Sequence, residues 1–305
     1  MIAKEDQQPG GTPQIVFQGE PGAYSHLAAR QFFPAHEAVP CATFEDAFQA
    51  IEDGRAALGM IPVENSLAGR VADIHHLLPE AEVFAVGERF LPIRHQLLAC
   101  PGATLETVKT ALSHIMALGQ CRQTLRRLGI RAEVAADTAG AARQIAERGD
   151  PTVAAVASSL AAEIHGLQIL KPDIEDAAHN TTRFLVLAGE RDDAPRSAGT
   201  VITSFLFRVR NVPASLYKAM GGFATNGVNM TKLESYQLDG SFRATQFYAD
   251  IEGHPDDRPV RLALEELAFF SSHMRVIGVY PADDYRRMVD QASLDPGPRR
   301  PLQGV

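Results

Sequence analysis

The chain has 305 residues, 45% of them hydrophobic and 22% charged, with a formal net charge of −8 and a pI near 5.7. These values fit an ordinary globular protein long enough for two domains, and the acidic balance excludes a basic nucleic-acid-binding face. No apolar run approaches the roughly 20 residues of a membrane helix, and the polar start, 1–11, is no secretory signal. Three cysteines, Cys41, Cys100 and Cys121, lack CxxC spacing, which favours reduced thiols in a cytoplasmic protein over a zinc site.

Gln14–Gln18 reads as a short buried strand. It runs through Gly19-Glu20-Pro21-Gly22-Ala23-Tyr24-Ser25 into a helix over 26–33. Strand, glycine turn and serine-capped helix suit an anion, because the first helical N–H groups are unpaired. The turn is neither GxGxxG nor a P-loop, so a nucleotide is not expected, and a ligand-free structural turn fits equally well. Thr43 with Asp46 is a capping signature for a helix ending near Asp53-Gly54. A strand over 56–61 then delivers Pro62-Val63-Glu64-Asn65-Ser66 into a loop before a helix around 71–78. Asn65 and Ser66 suit either helix capping or hydrogen bonding to a small polar ligand. His75 and His76 are adjacent on that helix and diverge, so they read as helix surface and not as a metal pair.

The strand-rich run 83–100 breaks at Leu91-Pro92-Ile93-Arg94-His95, a crossover into a second lobe. There 109–114 leads to a helix over 117–128 that contains Gln120-Cys121. A strand near 131–135, a Thr138-started helix to Arg148, a strand over 152–157 and a helix capped by Ser158-Ser159 follow. The segment 166–170 is read as returning the chain to the first lobe. Strands alternating with helices predict mainly parallel sheets, and two lobes linked by crossing segments predict a cleft between them. Loops 19–25, 64–66, 113–114, 158–159 and 179–184 would converge there. The last is densest in chemistry. Asn180, Thr181, Thr182, Arg183 and Phe184 stand at the mouth of the apolar run Leu185-Val186-Leu187-Ala188, the ligand position of open α/β folds. Arg183 offers a planar donor fork for carboxylates. A plain turn with a solvated arginine fits the hexapeptide equally.

Residues 191–199 read as a linker. Beyond it come a strand over 201–209, a helix from Ala214 to about Ala224 opened by Pro213, and strands around 230–238 and 242–251 joined by an Asp239-Gly240 turn. A helix over 259–270 and a strand over 274–280 complete βαββαβ, the ferredoxin-like order. It carries no nucleophile–base pairing and reads as a binding or dimerising module. The Pro- and Gly-rich end, 295–301, is expected to be disordered.

Together, Gly19 to Ser25, Pro62 to Ser66, Ser113-His114 with Gln120-Cys121, Ala154 to Ser158 and Asn180 to Phe184 stand in the order of the prephenate dehydratase blocks, and with the βαββαβ module the chain resembles that family. The resemblance covers 14–280 and implies an α/β, two-lobed catalytic domain resembling type II periplasmic binding proteins over 14–190, its second lobe about 94–168. A ferredoxin-like ACT regulatory domain over 200–281 would follow, with flexible tails at 1–13 and 282–305. It implies the conversion of prephenate to phenylpyruvate, water and carbon dioxide in phenylalanine biosynthesis, with no metal, flavin or nicotinamide. Thr182 takes the place of the family's key threonine, beside Arg183 and Phe184. Ser25, Asn65, Ser66, Ser158, Asn180 and Thr181 are the expected substrate contacts, and His114, not followed here by the family's Pro-Gln, a supporting residue.

In the ACT domain, the family's phenylalanine-binding Gly-Ala-Leu and Glu-Ser-Arg-Pro read here as Ala214-Ser215-Leu216 and Glu234-Ser235-Tyr236-Gln237. Ala214, Ser215, Leu216, Asn229, Glu234 and Ser235 are therefore the expected effector contacts. The lost glycine narrows a backbone approach and the lost arginine removes donors, so L-phenylalanine inhibition with altered affinity is expected. The resemblance also implies a homodimer or homotetramer. Arogenate dehydratase, by the same chemistry, and a non-catalytic two-lobed amino-acid sensor are the rival readings. No helical segment precedes Gln14, so no fused chorismate mutase is expected.

Overall fold

A computed structural model describes residues 11–71, 74–210, 212–237 and 244–294. The Asp239-Gly240 turn, the His75 side chain and the ends, 1–10 and 295–305, lie outside the described residues. The chain forms two compact units, one of residues up to 85 with 91–191, the other of 86–90 with 192–305.

The chain opens with β1 (Gln14–Gln18), α1 (Tyr24–Phe32), β2 (Glu37–Cys41), α2 (Phe44–Glu52), β3 (Leu58–Asn65), β4 (Gly69–Arg70), α3 (Ile74–Leu77) and β5 (Phe84–Pro92). Ile15, Val16 and Phe17 are all buried, the continuous apolar run of a strand covered on both faces. The capping box predicted at Thr43 and Asp46 starts α2. The chain then forms β6 (Gln96–Ala99), β7 (Thr110–Ser113), α4 (Ile115–Gln120), α5 (Arg122–Arg127), β8 (Arg131–Val134), α6 (Thr138–Arg148), β9 (Val153–Ala157), α7 (Ser159–His165) and β10 (Gln168–Lys171), and comes back as β11 (Thr181–Ala188).

The first sheet has the order β2-β1-β3-β11-β5 with β4 beside β3, and the second has β10-β6-β9-β7-β8. Neither is mainly parallel as expected. The βα units give parallel pairs around β1 and β7, but β11 runs antiparallel to β3, and β6 antiparallel to β9 and β10. Residues 168–171 also stay in the second sheet, so the return to the first is made after them. The single helix expected over 117–128 is two, because the Asp176 carboxylate accepts the N–H groups of Gln123 (2.8 Å) and Thr124 (3.0 Å) and caps a fresh start after Cys121. β2 was not anticipated from the sequence. In the second lobe, alternate residues serve opposite cores. Leu97, Ala99 and Val156 pack with Leu118 and Leu125, while Leu98, Ala155 and Ala157 pack with Ile145 and Ala161.

The second unit contains β12 (Val201–Val209), α8 (Ser215–Thr225), β13 (Met230–Gln237), β14 (Ala244–Glu252), α9 (Arg258–Phe270), β15 (Ser271–Pro281) and α10 (Asp284–Leu294). Its sheet order, β13-β14-β12-β15, is that of a ferredoxin-like βαββαβ unit. Phe205, Phe207 and Phe247 pack with Phe223 of α8 and Leu267 of α9. The tail expected from 282 is instead helical to Leu294. Arg286 of α10 donates to both carboxylate oxygens of Glu88 at 2.6 and 2.9 Å, and Tyr285 stacks on Phe90. Glu88 is fully buried, so the partner that neutralises it has a fixed place. Among the described residues no helix is long and apolar enough to cross a membrane.

Candidate active site

A cavity of about 820 Å³ opens in the first unit, walled by the turn after β1, the ends of β2 and β3, the starts of α4 and α6, and the first residues of β11. Strand ends and helix starts from both lobes thus meet at one place, as the α/β pattern predicts.

Asn65 organises the polar side of this cavity. Its Oδ1 accepts the backbone N–H groups of Leu67 (3.0 Å) and Ala68 (2.9 Å). A backbone N–H can only donate, so the orientation of the amide is fixed. Nδ2 must then donate, and it does so to Thr182 Oγ1 at 2.9 Å, Asn180 Oδ1 at 2.8 Å and, more weakly, the Thr181 carbonyl at 3.3 Å. Thr182 Oγ1 is therefore an acceptor from Asn65. Among the described residues it donates to none, so its proton is free for a ligand. Asn180 Nδ2 donates onward to Gln120 Oε1 at 3.0 Å, which lies 2.7 Å from His95 Nε2. His95 Nδ1 lies 2.7 Å from the Tyr24 hydroxyl.

Burial lowers the pKa of His95 and outweighs the Gln120 hydrogen bond and Glu175, which raise it. Burial, with the nearby Cys121 and Glu175, pushes the Tyr24 phenol well up. Among the described residues that line the cavity there is no lysine or arginine. Glu20 at its rim is paired with Arg143 of α6 at 2.9 and 3.1 Å, which holds its carboxyl below the ordinary range. The N-cap of α1, Ala23, makes no side-chain cap, so the first-turn N–H groups are left uncapped beside Ser25 at the cavity wall. The starts of α4 and α6 are already capped by His114 and Asp137.

Of the residues singled out in the sequence, Thr182, Phe184, Asn65 and Ser25 line the cavity, as does His114. Arg183 does not. It lies between Thr182 and Phe184 on β11 and is buried at 4% exposure. Ser158 does not line the cavity either. It caps α7 by accepting the Ala161 N–H at 3.1 Å and donates to the Gly22 carbonyl at 2.6 Å, fastening the glycine turn to the second lobe. Gly22 has φ +97°, and a Cβ there would sit 2.9 Å from Ala161 Cα. Ser66 donates to the His179 carbonyl and accepts the Thr181 N–H, so it pins β11 without lining the cavity. Thr181 and Asn180 are buried behind the cavity wall. Tyr24, His95 and Gln120 were not singled out as site residues. Tyr24 and Gln120 sat within the blocks, while His95 carried no local signal.

In the second unit, Ala214, Ser215, Leu216 and Ser235 line a cavity of about 380 Å³ with Tyr217 and Phe247. Asn229 lines a separate one and donates to Glu252, and Glu234 lines neither, pairing with Lys232 at 3.3 Å. Ala214 has φ +64°. The glycine it replaces would relieve a left-handed backbone, which is a different cost from the narrowed approach expected from the sequence.

The family model described as prephenate dehydratase matches residues 15–192. The chain is 52% identical over 273 residues to a Komagataeibacter europaeus protein named bifunctional N-acyl-homoserine lactone acylase/prephenate dehydratase, covering 90% of this chain and 97% of that one. It is 40% identical over 283 residues to the chloroplastic arogenate dehydratase/prephenate dehydratase 2 of Arabidopsis thaliana, covering 90% and 74%. The solved prephenate dehydratase of Arthrobacter aurescens, in complex with L-Phe, superposes with a TM-score of 0.80 at 27% identity, covering 92% and 98%. With the family model spanning more than half its length and a relative 52% identical along nearly all of it, the chain belongs to the prephenate dehydratase family.

Proposed function

We propose that the cavity binds prephenate and converts it to phenylpyruvate, water and carbon dioxide, with Thr182 as proton donor to the departing 4-hydroxyl. The observation that supports this reading most is the Thr182 hydroxyl, which accepts from Asn65 and keeps its own proton unspent at the cavity wall. As the carbon–oxygen bond breaks, hydroxide leaves with that proton as water. The electron pair of the bond to the ring carboxylate enters the ring, which becomes aromatic as carbon dioxide is released. Thr182 recovers its proton from solvent. A threonine hydroxyl is a weak acid, but the Asn65 N–H stabilises negative charge developing on Oγ1 and so strengthens it. Phe184, 1% exposed, supplies an apolar wall that favours the neutral product over the carboxylate. The α1 first turn and Ser25 would hold a substrate carboxylate, since no lysine or arginine is among the described residues that line the cavity.

Turnover of prephenate and arogenate in parallel, read by phenylpyruvate absorbance and by amino-acid analysis, tests the reading. Dominant arogenate turnover would keep the mechanism and change the substrate, and a folded protein silent on both would sink it. The 52% identical relative carries a second named activity. Release of homoserine lactone from an N-acyl-homoserine lactone, measured on the same preparation, decides whether this chain shares it.

For the second unit we infer an ACT-type effector domain over 200–281, following a catalytic domain over 14–190. Its sheet order and the cavity at Ala214 to Leu216 support this, as does the L-Phe bound by the Arthrobacter aurescens relative. Inhibition by L-phenylalanine, weakened by Leu216→Asp, is the expected result, and a flat curve into the millimolar range would reject it. Sheets of this kind pair side by side, so a homodimer or homotetramer is expected in light scattering, and a soluble cytoplasmic fraction on cell fractionation.

A further inference from the structure

The orientation fixed at Asn65 propagates beyond Thr182. Asn65 Nδ2 donates to Asn180 Oδ1, so the Asn180 amide is fixed in turn, with Nδ2 toward Gln120. A donor there requires Gln120 to present Oε1, and this same oxygen faces His95 Nε2 at 2.7 Å. An acceptor at that distance requires Nε2–H. In a neutral imidazole Nδ1 is then a bare lone pair, and the Tyr24 hydroxyl 2.7 Å away must donate to it.

We infer that His95 is a positioning residue, held as the neutral Nε2–H tautomer by an orientation chain that starts at the Leu67 and Ala68 backbone, and that it fixes the direction of the Tyr24 hydroxyl at the cavity. Tyr24 has a second acceptor ready, the Arg94 carbonyl at 3.1 Å. When Nδ1 takes a proton, Tyr24 can no longer donate to it. The hydroxyl must then accept from Nδ1–H and swing its own proton to Arg94. The Gln120 contact survives, because Nε2 still donates, so the reversal is confined to Tyr24. The charged and titratable groups around the ring are Tyr24, the buried Glu175 carboxylate that accepts the His95 backbone N–H at 2.9 Å, its partner Arg94, and Cys121. Burial is the largest influence on the ring and holds its pKa below the ordinary 6.5.

The tautomer is independent of any substrate, whereas its consequence for turnover rests on the dehydratase reading. The full chain labelled with ¹⁵N-histidine contains ten histidines, and subtraction of the His95→Phe spectrum isolates the one that matters. The expected signal at neutral pH is a protonated Nε2 and a bare Nδ1. In Asn180→Asp, position 180 accepts instead of donating, Gln120 flips so that its Nε2 faces position 180 and His95 Nε2, and the His95 signal is expected to switch to Nδ1–H. Gln120→Glu keeps an acceptor, so the tautomer should stay while the ring titrates at higher pH. With prephenate as substrate, the acid limb of kcat should follow the ring titration measured by NMR, move up in Gln120→Glu and vanish in His95→Phe. That variant should lose on the order of 10-fold in kcat with little change in KM. A wild-type Nδ1–H or imidazolium signal at neutral pH overturns the inference, and so does an unswitched tautomer in folded Asn180→Asp. An acid limb that survives in His95→Phe overturns the link to turnover. If prephenate is not turned over at all, that link falls with the dehydratase reading, and the tautomer is still decided by NMR.

Discussion

Replacing Ser158 by alanine removes one fully buried oxygen that does two jobs. It caps α7 through the Ala161 N–H, and it satisfies the Gly22 carbonyl at 2.6 Å. Loss of the cap costs about 1 kcal/mol. Loss of the donor to Gly22 leaves a carbonyl without a partner where no water reaches, worth about 1–3 kcal/mol. The sum is roughly 2–4 kcal/mol, since the two losses share one atom and the cavity left by an oxygen is small. With a urea slope of about 2–3 kcal/mol/M, the midpoint should fall by roughly 1 M. Circular dichroism is the suitable signal, because the chain has no tryptophan. Kinetics of the folded variant separate this role from a substrate contact. A role in fastening the glycine turn predicts the lost stability, and any loss in turnover should be reduced by conditions that restore folding. Unchanged stability with a raised KM for prephenate would refute the argument and restore Ser158 as a substrate contact.

Thr182→Val preserves shape and removes the proton, so kcat should drop at least about 100-fold while the melting temperature holds; near-normal turnover would remove Thr182 from the chemistry. Glu88→Leu leaves Arg286 of α10 partly buried without its partner, and a loss of about 3–5 kcal/mol in calorimetry is expected, largely recovered in the double variant Glu88→Leu/Arg286→Met. Ala214→Gly should raise stability by about 0.5–1 kcal/mol by relieving the positive φ, and a loss would show that the helix start tolerates alanine. The Glu20–Arg143 pair should be fully effective above the ordinary Glu20 value of 4.5 and lost as pH falls through the lowered folded value. The stability gap between wild type and Arg143→Met should therefore close on acidification, and a gap that widens would contradict the pairing.

Much of this molecule was legible from local patterns. The buried run of β1, the Thr43 capping box and the βαββαβ order follow from periodicity and caps, which act within a few residues. The placement of Thr182 and Phe184 at the cavity was legible too, from their position at the mouth of the apolar run 185–188. The helix over 284–294 had a signal in Tyr285, Met288 and Val289 at helical spacing, obscured by the proline-rich end beyond it. What stayed hidden depends on long-range contacts. Nothing near His95 in sequence announces Gln120 or Tyr24, and the cap on α5 comes from Asp176, some fifty residues on. The antiparallel β11 was equally invisible, because strand direction is set by where a chain re-enters a sheet.

That re-entry also imposes an order of assembly. β3 and β11 pair through Gly59 with Leu187 and Asn65 with Thr182, so the middle of the first sheet stays vacant while the whole second lobe is synthesised. The second sheet draws only on 96–171 and can close by itself beforehand. The first sheet has to wait for its most distant strand, a slow, high-contact-order step. Thr182 is carried by that late strand, so Asn65 and the α1 turn leave the ribosome well before the hydroxyl they serve. A nascent chain halted anywhere in the second lobe would expose a half-built sheet edge and no proton donor.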